Sequence, residues 1–205
     1  MITSMCNSYE HTIVITNRHL VQGDFLKQLE KVTKLHPHAL ILREKDLTDD
    51  AYESLAKKVF DLCEREDITF FLHTKIEIAR KIVCQNIHLS IPVLKGLSET
   101  EKKALTEDFC EISISCHSME DVEIAMAGGA TQIILGTIFE TECKKGVLGK
   151  GVEFVREICQ KCPLPVYAIG GMNLQRLPLV IDAGAAGCCM MSGFCLLYTS
   201  DAADD

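Results

Sequence analysis

Residues Ile133–Ile169 read IILGTIFETECKKGVLGKGVEFVREICQKCPLPVYAI and are followed directly by Gly170 and Gly171. Two short apolar runs, Gln132–Leu135 and Val166–Ile169, open and close this stretch, and a lysine- and glycine-rich loop and one amphipathic helix pattern lie between them. Unbroken apolar runs are typical of parallel strands that helices cover on both faces. Parallel α/β folds hold their sites in the polar and glycine-rich residues just beyond such strands. The stretch therefore predicts both the fold and the location of the chemistry.

The same unit of one strand and one helix repeats along the whole chain. Strands are predicted at 11–16, 39–42, 69–72, 87–89, 112–115, 132–135, 166–169 and 188–191. Helices are predicted after the first seven strands, at 25–35, 49–66, 76–84, 99–108, 119–127, 152–161 and 174–183. This alternation predicts an α/β fold, and eight units can close into a single (β/α)8 TIM barrel. The alternative is an open doubly wound sheet, whose dinucleotide fingerprint G-x-G-x-x-G is absent from the sequence.

Composition narrows the classes of protein and partner. A chain of 205 residues suits one barrel domain, and its net charge of −8 argues against a nucleic-acid partner. No apolar stretch is long enough to cross a bilayer, and the first residues lack the pattern of a signal peptide. The eleven cysteines fall mostly inside apolar patterns, which indicates reduced thiols and a cytoplasmic protein. Cys159 and Cys162 form a C-x-x-C, but no second pair at zinc spacing accompanies it.

The last residues do not continue the repeating pattern. Residues 195–205 read CLLYTSDAADD, show no periodicity and are similar to a translated sequencing adapter. We therefore expect residues 1–194 to form the phosphate-ligand-binding barrel and residues 195–205 to be a non-native tail. On this interpretation the last helix of the barrel is missing.

Polar side chains collect just after the predicted strands. Cationic and hydroxyl side chains follow the second, fifth and sixth strands, where they could bind an anionic substrate: Arg43, Lys45, Ser115, Thr141 and Lys144. Glycine-bearing loops follow the seventh and eighth strands, where barrel enzymes often bind phosphate through backbone N–H groups. The candidate phosphate-binding residues are Gly170, Gly171, Met191, Ser192 and Gly193.

His117 stands between the fifth strand and the helix that follows it. Ser118 is the predicted N-cap of that helix, and Asp121 lies three residues further on, as in a capping box. A histidine beside a helix N-terminus is favoured in its neutral form, which can act as a general base and then as a general acid. The alternative is a histidine that only supports the loop, and this is our interpretation of His11, His19, His36 and His38.

Five motifs together carry a resemblance to a known family. They are ILREKD at 41–46, SCHS at 115–118, ETECKKGVLGKG at 140–151, AIGGM at 168–172 and MMSGF at 190–194. The chain resembles the thiamine phosphate synthase/TenI family from about residue 13 to 194, and it is most similar to the TenI thiazole tautomerase branch. The resemblance implies a (β/α)8 barrel whose ligands are phosphorylated thiamin precursors.

The two branches of that family differ in their chemistry. The synthase joins a pyrimidine diphosphate to a thiazole phosphate and needs magnesium to neutralise the departing diphosphate. Thr74 and Val93 stand where the resemblance implies the synthase's metal-binding aspartates, and Ile41 stands where it implies a glutamine. These departures favour the tautomerase branch.

The resemblance therefore predicts an isomerase, a thiazole tautomerase that needs no metal and no cofactor. It implies that His117 is the catalytic acid/base for a small phosphorylated thiazole, held by the substrate- and phosphate-binding residues named above. Two alternatives stay open, a thiamine phosphate synthase and a non-catalytic phosphate-binding regulatory protein. The sequence does not decide between a monomer and a homo-oligomer.

Overall fold

Eight parallel strands form the centre of the molecule. The computed structural model describes residues 8–141, 146 and 148–191. The strands are β1 Thr12–Ile15, β2 Ala39–Leu42, β3 Thr69–His73, β4 Asn86–Ser90, β5 Glu111–Cys116, β6 Gln132–Gly136, β7 Val166–Ile169 and β8 Gly187–Met190. Each strand pairs with the next, and β8 pairs with β1 through Ile13 and Cys189, so the barrel is closed. The predicted (β/α)8 fold is confirmed, and the open doubly wound sheet is excluded.

Helices cover the outer face of the barrel. The α-helices in the described part of the chain are α1 Phe25–Thr33, α2 Asp49–Arg65, α3 Ile76–Lys81, α4 Ile91–Gly96, α5 Glu99–Asp108, α6 Met119–Ala127, α7 Gly151–Lys161 and α8 Leu177–Asp182. The sequence did not predict α4, because it begins directly after β4, with no loop between the two elements to mark a new one. The sequence also placed the start of α8 three residues too early. Pro178 lies in the first turn of α8, the position that favours proline.

The alternation of side chains along each strand produces two separate cores. Ile13 and Ile15 point into the barrel, whereas Val14, between them, packs against the helices. The interior cluster is Ile13, Ile15, Ala39, Ile41, Phe71, Ile134, Tyr167 and Cys189. On β4 and β5 the buried side chains His88 and Ser113 are polar instead. One side of the barrel interior is therefore apolar, and the other side carries hydrogen-bonding groups.

Some sequence-based predictions fall on parts of the chain that the structure does not describe. The proposed non-native tail, 195–205, lies outside the described residues, as does the position of any helix after β8. Within the described residues, no helix has the length and apolar character needed to cross a membrane. The described cysteines, which include Cys159 and Cys162, are free thiols.

Candidate functional site

A cavity of about 380 Å³ opens at the carboxyl ends of the strands. Most of the predicted site residues line it: Arg43, Lys45, Ser115, His117, Thr141, Gly170, Gly171 and Met191. Lys144, Ser192 and Gly193 lie outside the described residues, so their predicted roles stay predictions. The barrel therefore brings together, at the carboxyl ends of its strands, side chains that are far apart in the sequence.

The cavity also has lining residues that were not among the predicted site residues. His73, His88, Ser90 and Thr137 add polar groups, and a set of apolar side chains forms the rest of the wall: Ile15, Ile134, Ile169, Met172, Cys189, Met190. Side-chain alternation could have found His73. It lies two residues after Phe71, whose side chain is in the interior cluster, so both point inward.

In the segment that follows β2, the cationic side chains line the cavity and the carboxylates do not. Arg43 and Lys45 line the cavity, whereas Glu44 and Asp46 form ion pairs with Arg18, on the loop after β1. Among the described lining residues there is no aspartate or glutamate. The described wall is therefore positively charged, which suits an anionic ligand.

Two neutral histidines lie beside these cations. Burial lowers the pKa of His73 to about 4, with a further contribution from the positive charges of Arg43 and Lys45. Burial also lowers the pKa of His88 to about 3, with smaller contributions from His73 and Arg43. The two rings lie 5.6 Å apart, measured between centroids. Near neutral pH both therefore supply hydrogen-bonding nitrogen atoms without adding charge.

His88 connects two serines on the neighbouring strand. Its Nδ1 lies 2.9 Å from Ser113 Oγ, and its Nε2 lies 2.9 Å from Ser115 Oγ. In a neutral ring one nitrogen donates a hydrogen bond and the other accepts one. His88 therefore fixes the hydroxyl of Ser115, which is the serine of this group that lines the cavity.

His117 is held at the mouth of the cavity by its backbone and its ring. Its backbone N–H donates to the Asp121 carboxylate at 2.7 Å, and its carbonyl oxygen accepts from Lys150 Nζ. Ser118 caps α6 by accepting from the Asp121 N–H at 3.1 Å, as predicted. The ring Nδ1 lies 2.8 Å from the Gly136 carbonyl oxygen, which can only accept, so Nδ1 carries the hydrogen. The neutral ring then has Nε2 as an acceptor.

The loop after β7 has a backbone conformation that requires glycine. Gly170 has φ +102° and Gly171 has φ +60°. A Cβ on Gly170 would collide with the Thr137 side chain and would lie 3.1 Å from the Ile138 nitrogen. Within the described part of the chain, neither glycine's N–H makes a backbone hydrogen bond to another residue. Successive N–H groups in such a turn can bind an anion.

The described residues do not fit the magnesium site that the family resemblance implies for a synthase. Thr74 follows β3 and donates its hydroxyl to the His73 carbonyl oxygen at 2.7 Å, and Val93 packs against the core on α4. Ile41 is fully buried in the barrel interior. Within the described residues, no three His, Cys, Asp or Glu side chains are grouped to hold a metal ion. Magnesium prefers carboxylate and water oxygens, which these side chains do not supply.

Comparison with known proteins identifies similar chains. A family model described as "Thiamine monophosphate synthase" matches residues 12–194. A protein of Coprothermobacter proteolyticus named thiamine-phosphate synthase is 30% identical over 87% of this chain and 84% of its own length. A protein of Fusobacterium nucleatum with the same name is 27% identical over 88% of this chain and 86% of its own. The solved structure of a thiamine phosphate pyrophosphorylase from Pyrococcus furiosus covers 91% of this chain and 88% of its own, with a TM-score of 0.77 and 22% identity, which supports the fold.

These comparisons correct the activity predicted from the motifs. The sequence predicted an isomerase of the thiazole tautomerase type, but these relatives are named thiamine-phosphate synthases, which are transferases. The prediction was wrong because it gave three substituted positions, Ile41, Thr74 and Val93, more weight than similarity along most of the chain. The acid/base role of His117 in tautomerisation is withdrawn with it, although His117 does line the cavity.

Proposed function

Because the chain belongs to the thiamine monophosphate synthase (TMP-TENI) family, we propose that it is a transferase that forms thiamine phosphate. The proposed reaction joins a pyrimidine diphosphate to a thiazole phosphate and releases diphosphate. One observation carries the proposal. The cavity at the carboxyl ends of the strands combines two cations, Arg43 and Lys45, with an apolar wall that includes Ile134 and Ile169. Such a cavity suits a ligand that has both an aromatic ring and phosphate groups.

Arg43 and Lys45 have the central role in this proposal. As the bond between the pyrimidine and its diphosphate breaks, negative charge grows on the leaving diphosphate. Cations that are already fixed in the site stabilise that charge at little cost of reorganisation. An arginine can also bind two phosphate oxygens at once, whereas a lysine acts as a point charge. Since the described residues do not fit magnesium, these two side chains would meet the charge of the diphosphate directly.

The other polar groups would bind and orient the two rings. Ser115, fixed by His88 at 2.9 Å, offers a hydroxyl, and His117 offers Nε2 as an acceptor for an N–H group of the ligand. Gly170 and Gly171 would bind the phosphate of the thiazole through their N–H groups. The sequence-based roles of Thr141 and Met191, which also line the cavity, and of Lys144, Ser192 and Gly193 belong to the same proposal.

A second candidate is favoured by the absence of carboxylates from the described wall of the cavity. A protein with this cavity could bind a phosphorylated thiamin precursor without turning it over. The two candidates share their ligands and differ only in whether a product forms.

One experiment separates them. The chain is incubated with the pyrimidine diphosphate and the thiazole phosphate, with magnesium in one series and EDTA in another, and thiamine phosphate is measured by chromatography. Binding of each substrate is measured in parallel by calorimetry. Product at a rate that falls in an Arg43→Ala variant supports the transferase. Binding without product supports the second candidate, and binding of neither substrate contradicts both.

A further inference from the structure

We propose that Glu44 is a positioning residue that fixes the two cations of the cavity, Arg43 and Lys45, through Thr16 and Arg18. The inference rests on the proposed function, because it concerns the affinity of the cavity for an anionic ligand. Glu44 stands between Arg43 and Lys45 in the sequence and does not line the cavity.

Glu44 is a buried carboxylate with a full set of hydrogen-bond donors. It is 2% exposed, and its Oε1 accepts from Thr16 Oγ1 at 2.7 Å. The backbone N–H of Arg18 lies 3.1 Å from Oε1 and 3.2 Å from Oε2, and the Arg18 guanidinium donates to Oε2 at 3.1 Å. Each of these donors belongs to the segment that follows β1. Because a buried charge is costly unless it is paired and hydrogen-bonded, this arrangement defines one position for Glu44.

The Thr16 hydroxyl transmits that position to the cavity. Its Oγ1 donates to Glu44 and at the same time accepts from the backbone N–H of Arg43 at 3.0 Å. The Thr16 N–H donates to the Ile41 carbonyl oxygen at 3.0 Å, which continues the pairing of β1 with β2. The Thr16 hydroxyl therefore links the Glu44 carboxylate to the backbone of Arg43, next to the last backbone hydrogen bond between the two strand ends.

The positive and negative side chains of residues 43–46 lie in different places. Arg18 forms ion pairs with both Glu44 and Asp46. The two carboxylates thus pair with Arg18, which does not line the cavity, whereas Arg43 and Lys45 do line it. Glu44 can therefore hold the backbone of this segment while its charge is compensated by Arg18.

Breaking this hydrogen-bond network should reduce the affinity of the cavity for anions. We would measure binding of inorganic diphosphate by calorimetry for the wild-type chain, Glu44→Gln, Thr16→Val and Thr16→Ser. Glu44→Gln and Thr16→Val should weaken binding by roughly tenfold, as is usual for residues coupled through a shared network. Thr16→Ser keeps the hydroxyl and should bind like the wild type. The matched control is Glu53→Gln, since Glu53 accepts from Lys57 and Lys81 and does not line the cavity.

A double-mutant cycle separates positioning from a general loss of structure. If Thr16 acts through the two cations, Thr16→Val should have little further effect on diphosphate affinity once Arg43 and Lys45 are both replaced by alanine. Thermal unfolding of each variant shows whether it is folded, and Thr16→Val and Thr16→Ser keep the test informative if Glu44→Gln does not fold. Equal affinity of the wild type, Glu44→Gln and Thr16→Val would overturn the inference, while product formation by the wild type would still support the proposed function. A wild-type chain that binds no diphosphate would contradict the proposed function and this inference with it.

Discussion

The Nδ1 atom of His117 lies 2.8 Å from the carbonyl oxygen of Gly136, so one hydrogen bond fixes both the orientation and the tautomer of the ring. His117 follows β5, and Gly136 ends the neighbouring strand β6. The bond therefore ties a loop residue to the rigid barrel, which is how a scaffold holds a polar group in place for a ligand. Since Nδ1 is occupied, Nε2 is the nitrogen that can accept from the ligand.

Replacing His117 should weaken transfer without unfolding the protein. The ring is exposed and contributes little to the core, whereas an accepted hydrogen bond is worth about 0.5–1.5 kcal/mol. We expect His117→Asn to lower kcat/KM for thiamine phosphate formation by roughly 2- to 15-fold, as measured by steady-state kinetics.

His36→Asn is the matched control for this change. His36 is exposed, does not line the cavity and has φ 49°, a conformation that asparagine adopts readily. It should keep wild-type kinetics. Wild-type kcat/KM in His117→Asn would remove His117 from the proposed site.

Removing a cation from the cavity should reduce the affinity for diphosphate. Lys45→Ala should weaken binding of inorganic diphosphate by about 10- to 150-fold, because a hydrogen bond to a charged group contributes about 1.5–3 kcal/mol. The wild-type affinity should also fall as salt is added, and this dependence should be smaller in the variant. Calorimetry at two salt concentrations measures both effects.

Lys161→Ala serves as the control for Lys45→Ala. Lys161 ends α7, forms an ion pair with Glu157 and does not line the cavity. Its replacement should leave the affinity and the salt dependence as they are. If the two lysine variants lose the same affinity, the effect comes from net charge and the role of Lys45 is refuted.

Magnesium should make little difference to the binding of diphosphate. The described wall of the cavity has no carboxylate, and Thr74 and Val93 occupy the positions at which the family resemblance implies metal-binding aspartates. We expect the same dissociation constant for inorganic diphosphate in magnesium and in EDTA, to within about twofold. A marked gain of affinity on adding magnesium would show that the chain has metal ligands of another kind.

The sequence predicted the barrel because its strands are short apolar runs at regular spacing. Runs such as Val166–Ile169 lie between the barrel interior and the helices, and such short apolar runs are typical of parallel strands whose two faces are both covered. The short helix α4, Ile91–Gly96, was missed because it directly follows β4, with no loop between the two elements. Local patterns therefore specify the long elements and the order of the strands, but not every short connection.

The candidate site was predictable in its location and less so in its contacts. Strand ends alone placed Arg43 and His117 in the cavity. The sequence did not indicate that His88 would lie between Ser113 and Ser115, because that contact depends on the register between β4 and β5. The activity was harder to predict than the contacts of the site. A few substituted positions suggested one branch of the family, and similarity over most of the chain favours the other.

Gly170→Ala should damage both stability and phosphate binding. At φ +102° an alanine is strained, and its Cβ would collide with the Thr137 side chain. We expect the free energy of unfolding to fall by about 1–3 kcal/mol, and the affinity for the thiazole phosphate to fall with it. Urea unfolding and calorimetry measure the two effects.

Gly96→Ala is the matched control for that substitution. Gly96 lies in α4 and needs no positive φ, and no heavy atom lies within 4 Å of the position that a Cβ would occupy there. Because alanine favours helix, this variant should be as stable as the wild type, or more stable by up to about 1 kcal/mol. Equal stability of both glycine variants would show that the loop after β7 tolerates a side chain.

Stability should fall as the pH is lowered, partly because of His73. Its pKa is lowered to about 4 by burial and by the nearby cations, whereas an unfolded histidine titrates near pH 6.5. Between these two values the unfolded chain binds a proton that the native chain does not. The contribution of His73 to the free energy of unfolding is therefore complete above about pH 6.5. It decreases by up to about 1.4 kcal/mol per pH unit as the pH falls toward the folded-state pKa.

Comparing His73→Gln with the wild type isolates this contribution, because carboxylates and the other histidines titrate in both chains. Urea unfolding at pH 7 and pH 5 should show a smaller loss of stability in the variant, by roughly 2 kcal/mol. His88 adds to this difference. Its pKa is lowered in part by His73, so in the variant His88 accepts a proton more easily and contributes less to the loss of stability as well. The control His36→Asn replaces an exposed histidine and should lose as much stability as the wild type. An identical pH dependence in His73→Gln and the wild type would mean that His73 is not held neutral beside Arg43 and Lys45, and the charge arrangement proposed for the cavity would have to be revised.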